Sequence, residues 1–132
     1  MLVSISYILW ISCLESNLLN CDKIRNGKFY YYAKHTRERI NVLRTDSLQV
    51  ETGVQEGGSP IKSRIVWKGA CKYDMFLNAL SDTKLSETDS IIAVTPARVQ
   101  IISIENHYYI CDVKLSVFNK DIELRDTIYY EN

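Results

Sequence analysis

Two histidines, His35 and His107, are the only imidazoles the chain offers for acid–base work or metal binding near neutral pH. His35 sits in the polar run Lys34 to Arg37, and His107 follows Asn106 in a stretch that reads as a hairpin tip. Both are therefore expected as solvated turn residues, far apart in sequence and without a shared task. No serine stands in a Gly-x-Ser-x-Gly setting. Gly57-Gly58 leads into Ser59-Pro60 rather than into a helix opening on Lys-Ser/Thr, so it cannot cradle a phosphate. The carboxylates Asp82, Glu87 and Asp89 lack the spacing of a calcium loop and read as solvated. No catalytic residue, cofactor or metal is expected, and the chain reads as a non-enzyme.

The four cysteines are the remaining reactive groups: Cys13, Cys21, Cys71 and Cys111. No two of them stand two to four residues apart, which argues against zinc. Cys13 closes an uncharged, apolar run over residues 1–14. That run is too short to span a bilayer as a helix but matches the apolar core of a signal peptide. A small residue directly before a cysteine, as in Ile11-Ser12-Cys13, resembles the lipobox of bacterial lipoproteins. Lipid attachment at Cys13 is the expectation, with the membrane as partner through that anchor. Trp10 stands where a leucine is usual, and no Lys or Arg precedes Lys23. Leu18-Leu19-Asn20-Cys21 matches less well, because Asn20 is not small and Glu15 interrupts the apolar run.

With Cys13 lipidated or removed, three cysteines remain in an oxidising compartment, enough for one bridge and one free thiol. Cys21 with Cys71 is the expected pair, since Cys21 lies before the first strand, where a bridge ties the N-terminal segment to the sheet. It would close a loop of about 50 residues, worth roughly 3–4 kcal/mol by chain entropy. Cys111 lies inside a strand-like stretch and reads as a small buried hydrophobe.

The elements that must position these groups read as β. Of the 132 residues 46% are hydrophobic and 24% charged, an ordinary globular composition that fits one domain. Lys plus Arg equals Asp plus Glu at 16 each, so no net field draws the chain to nucleic acid. Asn26-Gly27 turns into Lys28 to Ala33. Arg39 to Arg44 and Ser47 to Thr52 flank Thr45-Asp46, a hairpin turn. Leu48, Val50 and Thr52 alternate with Gln49 and Glu51, and Ile61, Ser63, Ile65 and Trp67 alternate with Lys62, Arg64 and Lys68. Cys71 to Leu77 follows. Ser81 to Ser90 is the longest polar stretch, with room for a helical turn. Ile91 to Val94 is apolar, and Pro96 confines pairing to an edge or a strand start. Val99 to Glu105, Tyr108 to Ser116 and Ile122 to Tyr129 complete the chain. Tyr30-Tyr31-Tyr32, Tyr108-Tyr109 and Tyr129-Tyr130 place rings on both faces of strands. Packing of a thin sheet explains them most simply, the alternative being an aromatic face that lines a cavity or meets a partner.

In this order, Cys21, Arg25-Asn26-Gly27-Lys28-Phe29, Arg44 to Glu51, Ile65-Val66-Trp67 and Cys71-Lys72-Tyr73-Asp74-Met75 resemble a family of small exported, lipoprotein-like proteins of Bacteroidetes. The resemblance spans about residues 9 to 130. It implies export, a leader ending in a lipobox, and pairing of the cysteines at positions 21 and 71. Some relatives carry a DNA topoisomerase IV label. The chain is too short for that enzyme, has no net positive charge and shows no helix-turn-helix pattern.

The expected fold is all-β: an antiparallel meander of about eight short strands, as a curved sheet or a partly closed lipocalin-like barrel, with a possible short N-terminal helix. Residues 1–13 form a signal or lipobox-like segment, 14–26 an N-terminal segment and 27–132 one antiparallel domain. The expected function is binding or scaffolding in the cell envelope, lipid-anchored or secreted, without catalysis. The alternative is a lipocalin-like carrier whose apolar cavity is lined by residues such as Leu48, Ile65, Trp67 and Met75; a filled interior would exclude it.

Overall fold

The computed structural model describes residues 19–53 and 58–132. Cys13 and the signal-like segment lie outside the described residues. Eight strands run as a meander: β1 (Gly27–Tyr32), β2 (Arg39–Arg44), β3 (Leu48–Thr52), β4 (Ile61–Gly69), β5 (Lys72–Phe76), β6 (Ala97–Ile104), β7 (Tyr108–Val117) and β8 (Lys120–Tyr130). Each pairs antiparallel with the next, and β8 returns to β1 through Phe29 opposite Tyr130 and Tyr30 opposite Tyr129. The barrel is closed, with β8 meeting β1 over these two residue pairs.

Short turns make the meander possible. Phe118 and Asn119 both take positive φ, 53° and 59°, which fits a two-residue hairpin of the twist that strands prefer. Gly53 has φ +93° at the end of β3, and a Cβ there would meet the Arg39 carbonyl at 3.0 Å, so glycine is required on both counts.

The β5–β6 connection departs from a plain loop. Helix α1 (Glu87–Ala93) begins inside the polar stretch and absorbs Ile91 to Ala93. Ser86 caps it by accepting a hydrogen bond from the Asp89 amide at 3.1 Å, and Glu87 and Asp89 lie in the first turn, where the helix dipole favours negative charge. Pro96 stands immediately before β6, as a strand start allows.

The barrel has two unlike ends. A 3₁₀ turn, Asp22–Ile24, plugs the end where β2 meets β3 and β4 meets β5. Ile24 is fully buried, and Cys21 is bridged to Cys71 at the β4–β5 turn, the pairing expected from the sequence. Above the plug, Phe29, Val42, Ile65, Tyr73, Val99 and Tyr109 belong to the buried core. The other end carries the end of β3, the start of β4, the α1 connection and the β7–β8 hairpin.

Candidate functional site

Inward-facing side chains leave a cavity of about 290 Å³ inside the barrel, toward the unplugged end. Its walls are mostly apolar: Val42, Ile61, Met75, Leu77, Val99, Val113, Leu124 and Ile128. Among them stand Tyr31, Arg44, Gln49, Glu51, Tyr73, Tyr109 and Asp126. Such a lining, apolar with a few convergent polar groups, is the usual character of a small-molecule site.

The polar groups reach the interior by strand pairing. Val42 lies opposite Glu51 and Arg44 opposite Gln49, and directly paired residues share a face. Cys111 lies opposite Asp126 in the same way. Gln49 and Glu51 are therefore buried, whereas Leu48, opposite Arg64, is carried to the outer face. This reverses the expected use of β3: the apolar set Leu48 and Val50 faces out because β2 buries Ile40, Val42 and Arg44.

The four residues expected to line a cavity are thus only partly brought together. Met75 lines it. Ile65 is buried in the core below it. Trp67 packs at the plugged end, where its Nε1 donates to the Asp46 carbonyl at 3.0 Å and the Arg25 guanidinium lies 4.4 Å above its ring. Leu48 is outside. His35 and His107 are exposed in turns, as expected. Asp82 pairs with Lys62, and no group of three metal-ligating side chains occurs among the described residues.

Charge inside the barrel is arranged in layers. Nearest the plug, Arg44 donates from Nε to Gln49 Oε1 at 3.0 Å and from a terminal nitrogen to the Ile24 carbonyl at 2.9 Å, which ties the plug to β2. Its guanidinium lies against the rings of Phe29, Tyr73 and Tyr109, with centroids 4.7, 5.5 and 5.8 Å away. One layer further out, the Tyr31 hydroxyl donates to Glu51 Oε1 at 2.6 Å. Asp126 stands where the interior meets solvent, its side chain 30% exposed, and pairs with Lys34 at 3.6 Å.

Burial raises the Glu51 pKa above the usual carboxylate range, although the Tyr31 hydrogen bond and the Arg44 charge pull it back. Burial likewise raises the Tyr73 and Tyr109 phenols. The Cys111 thiol, buried and free as expected, is pushed up to about 12 by burial and by the Asp126 charge. A thiol so placed is a poor nucleophile.

A larger groove of about 530 Å³ runs over the outer face of β5, β6 and β7, between Lys72, Asp74, Arg98, Gln100, Asp112 and Lys114. Its side chains alternate in sign, and Asp112 is held by Arg125 at 2.7 and 3.0 Å. Outside the barrel, Tyr30 stacks on Tyr129 with centroids 5.2 Å apart, flanked by Tyr32 and Tyr108. Arg39 covers Tyr30 at 3.8 Å. The tyrosines therefore do split between the two faces of the sheet.

Comparison with protein-family models, with curated proteins and with solved structures finds no match to this chain. No helix among the described residues is long and apolar enough to cross a membrane.

Proposed function

We propose that this chain is a carrier or receptor for a small, largely apolar ligand, held inside the barrel and reached from the unplugged end. The observation that carries the reading is the space of about 290 Å³ that the described residues leave inside the barrel, with its mostly aliphatic wall. A fold of this size gains stability by filling its core, and an unfilled apolar volume costs packing energy. Binding rather than catalysis is supported by the state of the interior groups. Glu51 is engaged by Tyr31, Asp126 by Lys34, and the Cys111 thiol is held neutral.

The Cys21–Cys71 bridge is consistent with an oxidising, exported compartment. With the lipobox-like Ile11-Ser12-Cys13, it supports work in the cell envelope on a lipid anchor at Cys13. The resemblance to small exported proteins of Bacteroidetes points the same way.

The test is native mass spectrometry of the full chain purified from membranes. A co-purified small molecule released on unfolding, together with a diacylglyceryl mass on Cys13, is the expected result. A chain that purifies empty and takes up no apolar probe in a thermal-shift screen overturns the carrier reading. An unmodified Cys13 overturns the anchor.

A second reading, binding of a protein partner, is favoured by the outer cluster of Tyr30, Tyr32, Tyr108 and Tyr129. Replacing Tyr32 and Tyr129 by serine separates the two: it would abolish partner capture and leave ligand uptake unchanged.

A further inference from the structure

The carrier reading leaves open which end group the ligand presents, and the interior charges bear on it. Arg44 is 3% exposed, yet no carboxylate of the described residues lies within ion-pair distance of it. Buried charges are ordinarily paired, because an unpaired one costs several kcal/mol. Gln49 and the Ile24 carbonyl take up Nε and one terminal nitrogen. A guanidinium has five N–H donors, so donors remain.

Beside it, Tyr109 is fully buried and its hydroxyl has no hydrogen-bond partner of good geometry among the described residues. The Arg44 guanidinium and the Tyr73 hydroxyl are its polar neighbours. The cavity's own carboxylates do not fill the role. Glu51 is bonded to Tyr31 one layer further out, and Asp126 is paired with Lys34 at the solvent boundary. The acids have partners, and the Arg44 guanidinium keeps donors beyond its bonds to Gln49 and Ile24.

We propose that the deep end of the cavity is a carboxylate subsite, in which the Arg44 guanidinium holds the head group of an aliphatic monocarboxylic acid. This rests on the carrier reading above. A guanidinium matches a carboxylate with two parallel N–H···O bonds. The acid's tail runs outward past Met75, Val113 and Leu124. At about 30 Å³ for each water-sized group, a cavity of about 290 Å³ takes roughly ten heavy atoms. Octanoate is of that size.

The experiment is calorimetric titration of the full chain at neutral pH with octanoate, 1-octanol and octylamine, which share a tail and differ in head group. Octanoate is expected to bind at least about tenfold more tightly than octanol, and octylamine more weakly than either. Arg44→Gln is expected to bring octanoate down to the octanol level. Should Arg44→Gln fail to fold, the three-ligand comparison on the unmodified chain still decides. Equal binding of octanoate and octanol overturns the subsite and leaves the carrier reading standing. Preference for octylamine overturns it in favour of Glu51 and Asp126 as the recognising groups. Binding of none of the three overturns the carrier reading, and the subsite with it.

Discussion

The Tyr31 hydroxyl reaches across the inside of the barrel from β1 and donates to Glu51 on β3 at 2.6 Å. β2 lies between the two strands, so the bond spans a strand and braces the wall around the cavity. Tyr31→Phe removes the only donor of that bond and leaves a buried carboxylate short of a partner. The expected loss is about 1–3 kcal/mol in chemical denaturation. Tyr31→Phe combined with Glu51→Gln is expected to lose less than the sum of the two single changes, since each removes the same bond.

The same carboxylate makes stability depend on pH. Its pKa is raised in the folded state, first by burial, while an unfolded chain leaves it near 4.5. The folded state therefore holds the proton more tightly, and that contribution is complete below the ordinary carboxylate pKa. It is lost as pH rises through the folded-state value. Arg44, Gln49 and Tyr31 face Glu51 and oppose the shift, and Asp126 adds to it. Glu51→Gln is expected to flatten the fall in stability with rising pH above about 4.5, a slope limited to about 1.4 kcal/mol per pH unit for one group. Denaturation midpoints of both proteins across that range check it; parallel curves would contradict the shift.

Reduction of the Cys21–Cys71 bridge tests the plug. The bridge closes a loop of 50 residues, worth about 4 kcal/mol by chain entropy. It also holds the 3₁₀ turn that buries Ile24. Cys21→Ser with Cys71→Ser is expected to lower stability by about 2–5 kcal/mol and to open the plugged end first. Hydrogen exchange should show this as early loss of protection at Ile24 and at the N-terminal part of β1.

Much of this architecture is legible in the sequence, for a physical reason in each case. Ile61, Ser63, Ile65 and Trp67 mark the inner face of β4 because Lys62, Arg64 and Lys68 cannot be buried without partners. Cys21 and Cys71 are placed where a bridge ties the N-terminal segment to a turn. The interior of β3 was not legible from its own alternation, because Leu48 and Val50 outweigh Gln49 and Glu51 in any single-strand reading. The signal lay across the hairpin. An even-numbered turn puts Gln49 and Glu51 on the face of Ile40 and Val42, whichever of the two nearest registers forms. Burying β2's apolar pair then obliges β3 to bury its polar one. Ile91 to Val94 is apolar enough for a strand, but the Ser86 cap and the acids after it start a helix first. Arg44 is hidden for a third reason: arginine is rarely buried, and only closure of the barrel encloses it.

The state of Cys111 gives an independent measure of how tightly the core is closed. With its thiol pushed up to about 12, roughly one in ten thousand is ionised near pH 8. Alkylation at Cys111, followed by peptide mass mapping, is expected to be about a thousandfold slower in the folded protein than in denaturant. Rapid modification of the native chain would mean that β7 opens readily beside the cavity.

Met75 offers the most direct control over the cavity itself. It lies on β5 in the wall opposite neither a charge nor a hydrogen bond, and a thioether packs adaptably. Met75→Trp adds an indole to a volume of about 290 Å³. If the space is a ligand site, the variant is expected to lose uptake of apolar probes almost completely and to keep its folding midpoint within about 1–2 kcal/mol of the parent. Met75→Ala enlarges the same space and should bind longer ligands while losing about 2–3 kcal/mol of stability. Uptake unchanged in both variants would place ligand binding elsewhere on the molecule and return attention to the tyrosines on its outer face.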